Sequence, residues 1–139
     1  MHFEKTIEID APQQRVWDVL TDIEAWPQRI ETVDEVELLT PAPIAKASKV
    51  RLKQPKLPEG TWDVTAWDAP SYFEWTQKST GITSVAGHRV EALGERRARL
   101  TLRLDMRGFL IPVAFFYRGL TNRYMNLEAE GMKRAAEAS

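Results

Sequence analysis

No cysteine occurs among the 139 residues of this chain, which removes disulfides, thiolate metal sites and a cysteine nucleophile from the functions open to it. Histidine is nearly as scarce, with only His2 and His88. A metal ion would therefore have to rest on carboxylates, and strand parity points Glu35, Glu37, Glu91 and Asp105 outward, so no metal and no cofactor is expected. Long hydrophobic runs are missing too. The longest, Phe109 to Tyr117, is interrupted by Pro112 and is far too short to cross a bilayer. No basic stretch followed by an apolar one opens the chain, so no membrane span and no leader are expected. Charge of one sign is also absent: 19 basic and 20 acidic side chains give a net charge of −1, which argues against nucleic acid as a partner. What remains is the composition of a globular protein, 43% hydrophobic and 28% charged. The expectation is a single cytoplasmic domain over residues 1–139, with the oligomeric state left open.

The pattern within the chain is mostly that of strands. Phe3, Ile7 and Ile9 alternate with His2, Glu4, Thr6 and Glu8, giving a strand with one buried face. Helix then begins at Pro12, with Val16, Trp17 and Leu20 at helical spacing. Asp22 is placed to cap a second short helix carrying Ile23 and Trp26 and ended or bent by Pro27. Six more strands follow. Val33 to Thr40 and Lys49 to Gln54 flank a link from Pro41 to Ala47, and Pro55, Pro58 and Gly60 mark a turn-rich loop. Trp62, Val64 and Ala66 then face inward with Trp67 outside. In the next strand Phe73, Trp75 and Gln77 share the inner face, and Ser79-Thr80-Gly81 reads as a hairpin connection. Because Arg89 and Glu91 should face water, Ile82, Ser84, Ala86, His88 and Val90 point inside. Leu100, Leu102, Leu104 and Met106 make the clearest strand of all.

After a break from Gly108 to Pro112, a terminal helix of roughly seven turns is expected. Its inner stripe is read as Val113, Phe116 or Tyr117, Leu120, Tyr124, Leu127 and Gly131, with Glu128 among the residues of the outer face. Short connections make the strands antiparallel neighbours, and the apolar sheet face must be covered by that helix. The fold class is thus α+β: a seven-stranded curved antiparallel sheet, two short helices after strand 1, and a long C-terminal helix packed across the sheet.

This order resembles the helix-grip superfamily, often called SRPBCC, which contains START lipid-transfer domains, pollen-allergen-like plant proteins and polyketide cyclase/dehydrase-like bacterial proteins. The likeness covers nearly the whole chain. It is carried by Ile9-Asp10-Ala11-Pro12 through Val16-Trp17, Leu20-Thr21-Asp22 to Trp26-Pro27, and Arg51 to Pro58 leading into Trp62-Asp63-Val64. Phe73-Glu74-Trp75, Gly87-His88-Arg89-Val90-Glu91 and the tail from Tyr124 to Arg134 complete the likeness to small bacterial members of the polyketide cyclase/dehydrase-like group. The resemblance implies an elongated cavity between sheet and helix for a lipid, quinone or polyketide, while fold alone does not settle function.

His88 is the one histidine expected inside, and three readings stand for it: a satisfied interior histidine, a ligand contact, or a proton-transfer group partnered by Tyr124 or Ser84. Glu91 lies on the opposite strand face and cannot serve as that partner. Gln54, Gln77, Ser84 and Tyr124 are the candidate polar contacts in an otherwise apolar pocket. Trp62, Val64, Phe73, Trp75, Leu102, Leu104, Phe116 and Leu120 are its expected apolar wall. Phe109, Leu110 and Ile111 are read as a gate at the mouth or as an anchor for the helix start. Gly119 is read as a place of close approach or as a tolerated helix glycine.

The leading expectation is a binder or carrier of a small hydrophobic molecule. A cyclase or dehydratase using His88 as general acid/base stands second, weakened by the lack of an inward carboxylate or arginine. A protein-interaction module stands third, supported only by an outward Trp67.

Overall fold

The computed structural model describes residues 1–138. Seven antiparallel strands form one curved sheet: β1 (His2–Ile9), β2 (Glu35–Leu38), β3 (Lys49–Lys53), β4 (Gly60–Asp68), β5 (Tyr72–Ser79), β6 (Ile82–Gly94) and β7 (Arg97–Arg107), in the spatial order β1-β7-β6-β5-β4-β3-β2. Between β1 and β2 the chain forms α1 (Gln13–Thr21), a 3-10 turn (Ile23–Ala25) and α2 (Trp26–Arg29), which carry it from one sheet edge to the other. After β7 come α3 (Ile111–Phe115) and α4 (Arg118–Glu137).

Strand parity translates directly into rows across the sheet. Phe73 pairs with His88 and His88 with Leu102; two residues along, Trp75 pairs with Ala86 and Ala86 with Leu104. Gln77, Ser84 and Met106 make a third row. Because side chains two apart share a face, these three rows form one surface beneath the helices.

The sequence reading of β4 fails at one point. The pairing with β5 shifts between Val64 and Ala66, so Thr65 is an extra residue and the parity reverses after it. Trp67 consequently turns inward, with its ring 5.2 Å from that of Trp17 and 5.6 Å from that of Phe73. The support that an outward Trp67 lent to an interaction module is gone.

Pro27 sits in the first turn of α2, where its missing N–H has no intrahelical partner, and so opens this helix instead of ending it. Asp22 supplies no side-chain cap; its carbonyl accepts the Ala25 N–H, and its carboxylate lies 3.4 Å from the Arg29 guanidinium.

The terminal helix is also not continuous. The Phe116 and Tyr117 amides bond back to Val113 and Ala114 in tight three-residue turns, and α4 restarts at Arg118. The Arg118 guanidinium donates to the freed Phe115 carbonyl at 3.0 Å, which satisfies one acceptor that the break releases.

Packing along α4 is uneven. Its C-terminal half buries Ala129, Gly131, Met132 and Ala136, small or flexible residues that let it lie close to β1, α1 and α2. At Gly131 an added Cβ would stand 2.4 Å from the Arg29 carbonyl oxygen, so only glycine permits this approach. Gly119 differs, since a Cβ there would meet nothing within 4 Å, so no other part of this chain requires the glycine. Where the small residues stop, toward the N-terminal half of α4, the helix no longer fills the concavity of the sheet.

Candidate functional site

That unfilled region is a cavity of about 560 Å³ between the sheet, α2, α3 and the first turns of α4. The exposed or half-exposed lining residues Lys56, Pro58, Val113 and Tyr117 mark its mouth, between the β3–β4 loop and α3. Nine of the thirteen side chains singled out from the sequence line it: Gln54, Trp62, Trp75, Gln77, Ser84, His88, Leu102, Leu104 and Tyr124.

Four do not, each for a physical reason. Val64 and Phe73 share the inner sheet face but are buried in the packed core, 3% and 0% exposed, with Phe73 covered by Trp17 and Trp67. Phe116 falls at the break between α3 and α4, which swings it into solvent at 83% exposure. Leu120 is half-buried outside the lining. Of Phe109, Leu110 and Ile111, only Leu110 faces the cavity, and Phe109 is 77% exposed. This segment is pinned at one point: the Leu110 N–H donates to the Gly81 carbonyl at 3.0 Å, where Gly81 and Gly108 both adopt positive φ and cross too closely for any side chain.

His88 sits on the cavity floor, 3% exposed. Its ring stacks on Phe73 at 4.2 Å and 8°, and the edge of Trp75 approaches at 5.3 Å. Nδ1 lies 3.4 Å from the Phe73 carbonyl oxygen, a long contact in which the nitrogen must carry the proton because a carbonyl only accepts. That tautomer leaves Nε2 with a free lone pair. Burial holds the imidazole neutral, down to a pKa of about 4, opposed only in part by the Phe73 contact.

Facing Nε2 at 3.8 Å is Glu128 Oε1. The sequence pattern places Glu128 on the solvent face and offers no inward carboxylate; in the structure Glu128 lines the cavity and is that inward carboxylate. The signal was present, since Glu128 is four residues after Tyr124 and three before Gly131, the spacing of one helix face. Its apolar neighbour Leu127 shifts the expected stripe by a single position. Burial raises the Glu128 pKa to about 7, so near neutrality this carboxyl is poised between its acid and anion. At 3.8 Å the pair is too far apart for a direct hydrogen bond. Both groups are therefore available to a third.

Tyr124, one of the two partners considered for His88 beside Ser84, is engaged elsewhere. Its hydroxyl donates to the Pro55 carbonyl and ties α4 to the β3–β4 loop. Gln77 shapes the same region: its amide occupies the space over Gly60 that a Cβ would fill. Met125, Ile30, Val33 and Leu57 also belong to the lining and were missed, because no local pattern tells a core side chain from one beside a void.

A curved seven-stranded sheet gripping a long terminal helix around an apolar cavity defines the helix-grip class. The family model described as polyketide cyclase / dehydrase and lipid transport matches residues 1–137, and the chain belongs to that family. Similar solved structures include a START superfamily protein from Mycobacterium smegmatis, 18% identical, with a TM-score of 0.73 over 96% of this chain and 97% of that one. The Zhui aromatase/cyclase from Streptomyces is 19% identical, with a TM-score of 0.69 over 96% and 94% of the two chains. The di-domain ARO/CYC protein BexL is 16% identical, with a TM-score of 0.76; 99% of this chain aligns to 46% of BexL, so it spans about half of that protein. At these identities the likeness shows the fold alone. No curated protein matches in sequence. Among the described residues, no helix is long and apolar enough to cross a membrane.

Proposed function

We propose that this protein binds a small, mostly apolar molecule that carries a hydroxyl or carbonyl group, with the apolar body against Trp62, Trp75, Leu102 and Leu104 and the polar group between Glu128 and His88. The observation that carries this reading is the cavity itself. Its volume of about 560 Å³ lies within the ~300–1,000 Å³ of small-molecule sites, which are similarly apolar with a few convergent polar groups. The protonated Glu128 carboxyl offers a donor and His88 Nε2 an acceptor, a combination complementary to an alcohol, phenol or enolisable ketone.

Organic extraction and mass spectrometry of freshly purified protein, followed by thermal unfolding with fatty acids, quinones and aromatic polyketides, test this reading. A true ligand at a hundredfold excess over its Kd adds about 2.7 kcal/mol of stability. Ala86 lines the cavity on β6, and Ala86→Trp would fill it. Ligand stabilisation that persists in a folded Ala86→Trp variant would refute binding in this cavity.

The Glu128–His88 pair also favours a second reading, a cyclase or dehydratase. A protonated acid and a neutral base facing one bound group can move a proton to and from it without bulk water. On this reading His88 Nε2 takes the proton and Glu128 protonates the departing or developing oxygen. Once a substrate is found, His88→Gln and Glu128→Gln should each lower kcat by about 10²- to 10⁴-fold. Turnover retained in both would leave binding as the only role of the pair.

A further inference from the structure

We propose that the apolar rim beside the cavity mouth docks the protein onto the surface of an anionic phospholipid bilayer. Seven large apolar side chains are exposed among the described residues, and five of them fall within nine positions: Phe109, Val113, Phe115, Phe116 and Tyr117, each 51% exposed or more. Scattered exposed apolar residues are ordinary, whereas a cluster of this kind marks a contact surface. Phe109, Phe115 and Phe116 lie outside the cavity lining, whereas Val113 and Tyr117 are exposed and also line the cavity beside Leu110 and Ala114, so the cluster is continuous with the mouth.

Charge selects the occupant. From Met106 to Leu127 there is no aspartate or glutamate, while Arg107, Arg118 and Arg123 are present and exposed, in a chain whose net charge is −1. Lys78 adds a positive charge on the neighbouring hairpin, and Lys56 another on the opposite lip; Glu59 on that lip is paired with Arg51. The Arg118 guanidinium lies 4.0 Å over the Phe115 ring, placing a cation and an aromatic face at the same level, as suits the boundary between headgroups and acyl chains. A second copy of this chain fits less well, since a twofold interface would set these arginines against one another. An anionic bilayer satisfies both features, taking the rings into its interface and the arginines to its phosphates. Docking would bring the cavity mouth to the lipid surface. Only that consequence rests on the binding function proposed above; the docking itself does not.

The test is co-sedimentation with vesicles of phosphatidylcholine alone and of phosphatidylcholine mixed with phosphatidylserine, at low and physiological salt. The protein should bind the mixed vesicles more tightly, and less so as salt rises. The double variant Phe109→Ser with Phe116→Ser removes two highly exposed rings, so its thermal unfolding should be unchanged while its partition coefficient falls about tenfold or more. Changing Arg107, Arg118 and Arg123 together to Gln should abolish the preference for phosphatidylserine. Failure of the parent protein to bind either vesicle would overturn the proposal, as would equal binding by the serine variant. A concentration-dependent dimer dissolved by the same serine changes would overturn it in favour of self-association. Ala86→Trp fills the cavity and leaves the rim intact, so vesicle binding with lost ligand loading separates a failure of the cavity reading from a failure of this one.

Discussion

At pH 8 the Glu128→Gln variant should be more stable than the parent protein by up to about 3 kcal/mol, and at pH 4 the two should be equal. The Glu128 carboxyl has a pKa of about 7 in the folded protein against an ordinary value of 4.5, because burial penalises the anion. Between those values the unfolded chain has released the proton and the folded chain still holds it. Stability therefore falls as pH rises through that window and stays reduced above it. Glutamine keeps the shape and a donor without the titration. His88 acts with the opposite slope. Its folded pKa is about 4 against 6.5, so between these values the unfolded chain holds the extra proton and stability rises with pH.

The two slopes offset each other from about pH 4.5 to 6.5, so the joint contribution of the pair to the parent protein's stability should be nearly flat there. Each single variant uncovers the other group: Glu128→Gln gains stability as pH rises, and His88→Gln loses it. Urea unfolding from pH 4 to 8, taken as differences between parent and variant, isolates these effects from the surface carboxylates. Parallel curves for parent and Glu128→Gln would show that the carboxyl is not held in a dry site. A ligand that further dries the site should bind more weakly above pH 7, when Glu128 must be reprotonated to be covered.

Trp26→Ala should cost about 3–5 kcal/mol, the usual range for deleting a buried indole. Trp26 is 2% exposed, meets Trp75 at 5.4 Å, lies 6.5 Å from the His88 ring, and donates its indole N–H to the Leu20 carbonyl at 3.0 Å. It thus joins α1, α2 and β5 at the cavity wall. Trp26→Phe separates packing from hydrogen bonding. It keeps most of the apolar contact but leaves the Leu20 carbonyl without this donor, at a cost of about 1–3 kcal/mol. Denaturant midpoints measure both. An alanine variant within about 1 kcal/mol of the parent would mean that the wall collapses inward and closes much of the cavity.

What could be read in advance depended on how local its cause was. Strand faces were legible because alternation with period two is written into neighbouring residues: His88, Trp75, Leu102 and Leu104 were placed inside from parity alone, and they line the cavity. Trp67 defeated the same rule. The bulge at Thr65 exists only in the pairing of β4 with β5, and one unpaired residue reverses every later side chain. On α4 the error was one position, Leu127 for Glu128, because a 3.6-residue period leaves the edge of a helix face ambiguous. The rotation of α4 is settled by Gly131 against the Arg29 carbonyl, a contact between residues about a hundred positions apart.

The amino-acid sequence by itself determined the sheet, its inward rows, the covering helix and the class of fold, because each follows from periodicity and turn chemistry along short stretches. Only the tertiary structure decided that the core stays open toward α3, that Glu128 faces His88, and that Phe116 lies outside while Trp67 lies within. Those features arise where distant segments meet. Small residues let one half of α4 close onto the sheet, the other half stands away from it, and a carboxyl that looks like surface charge in sequence is held in the space between.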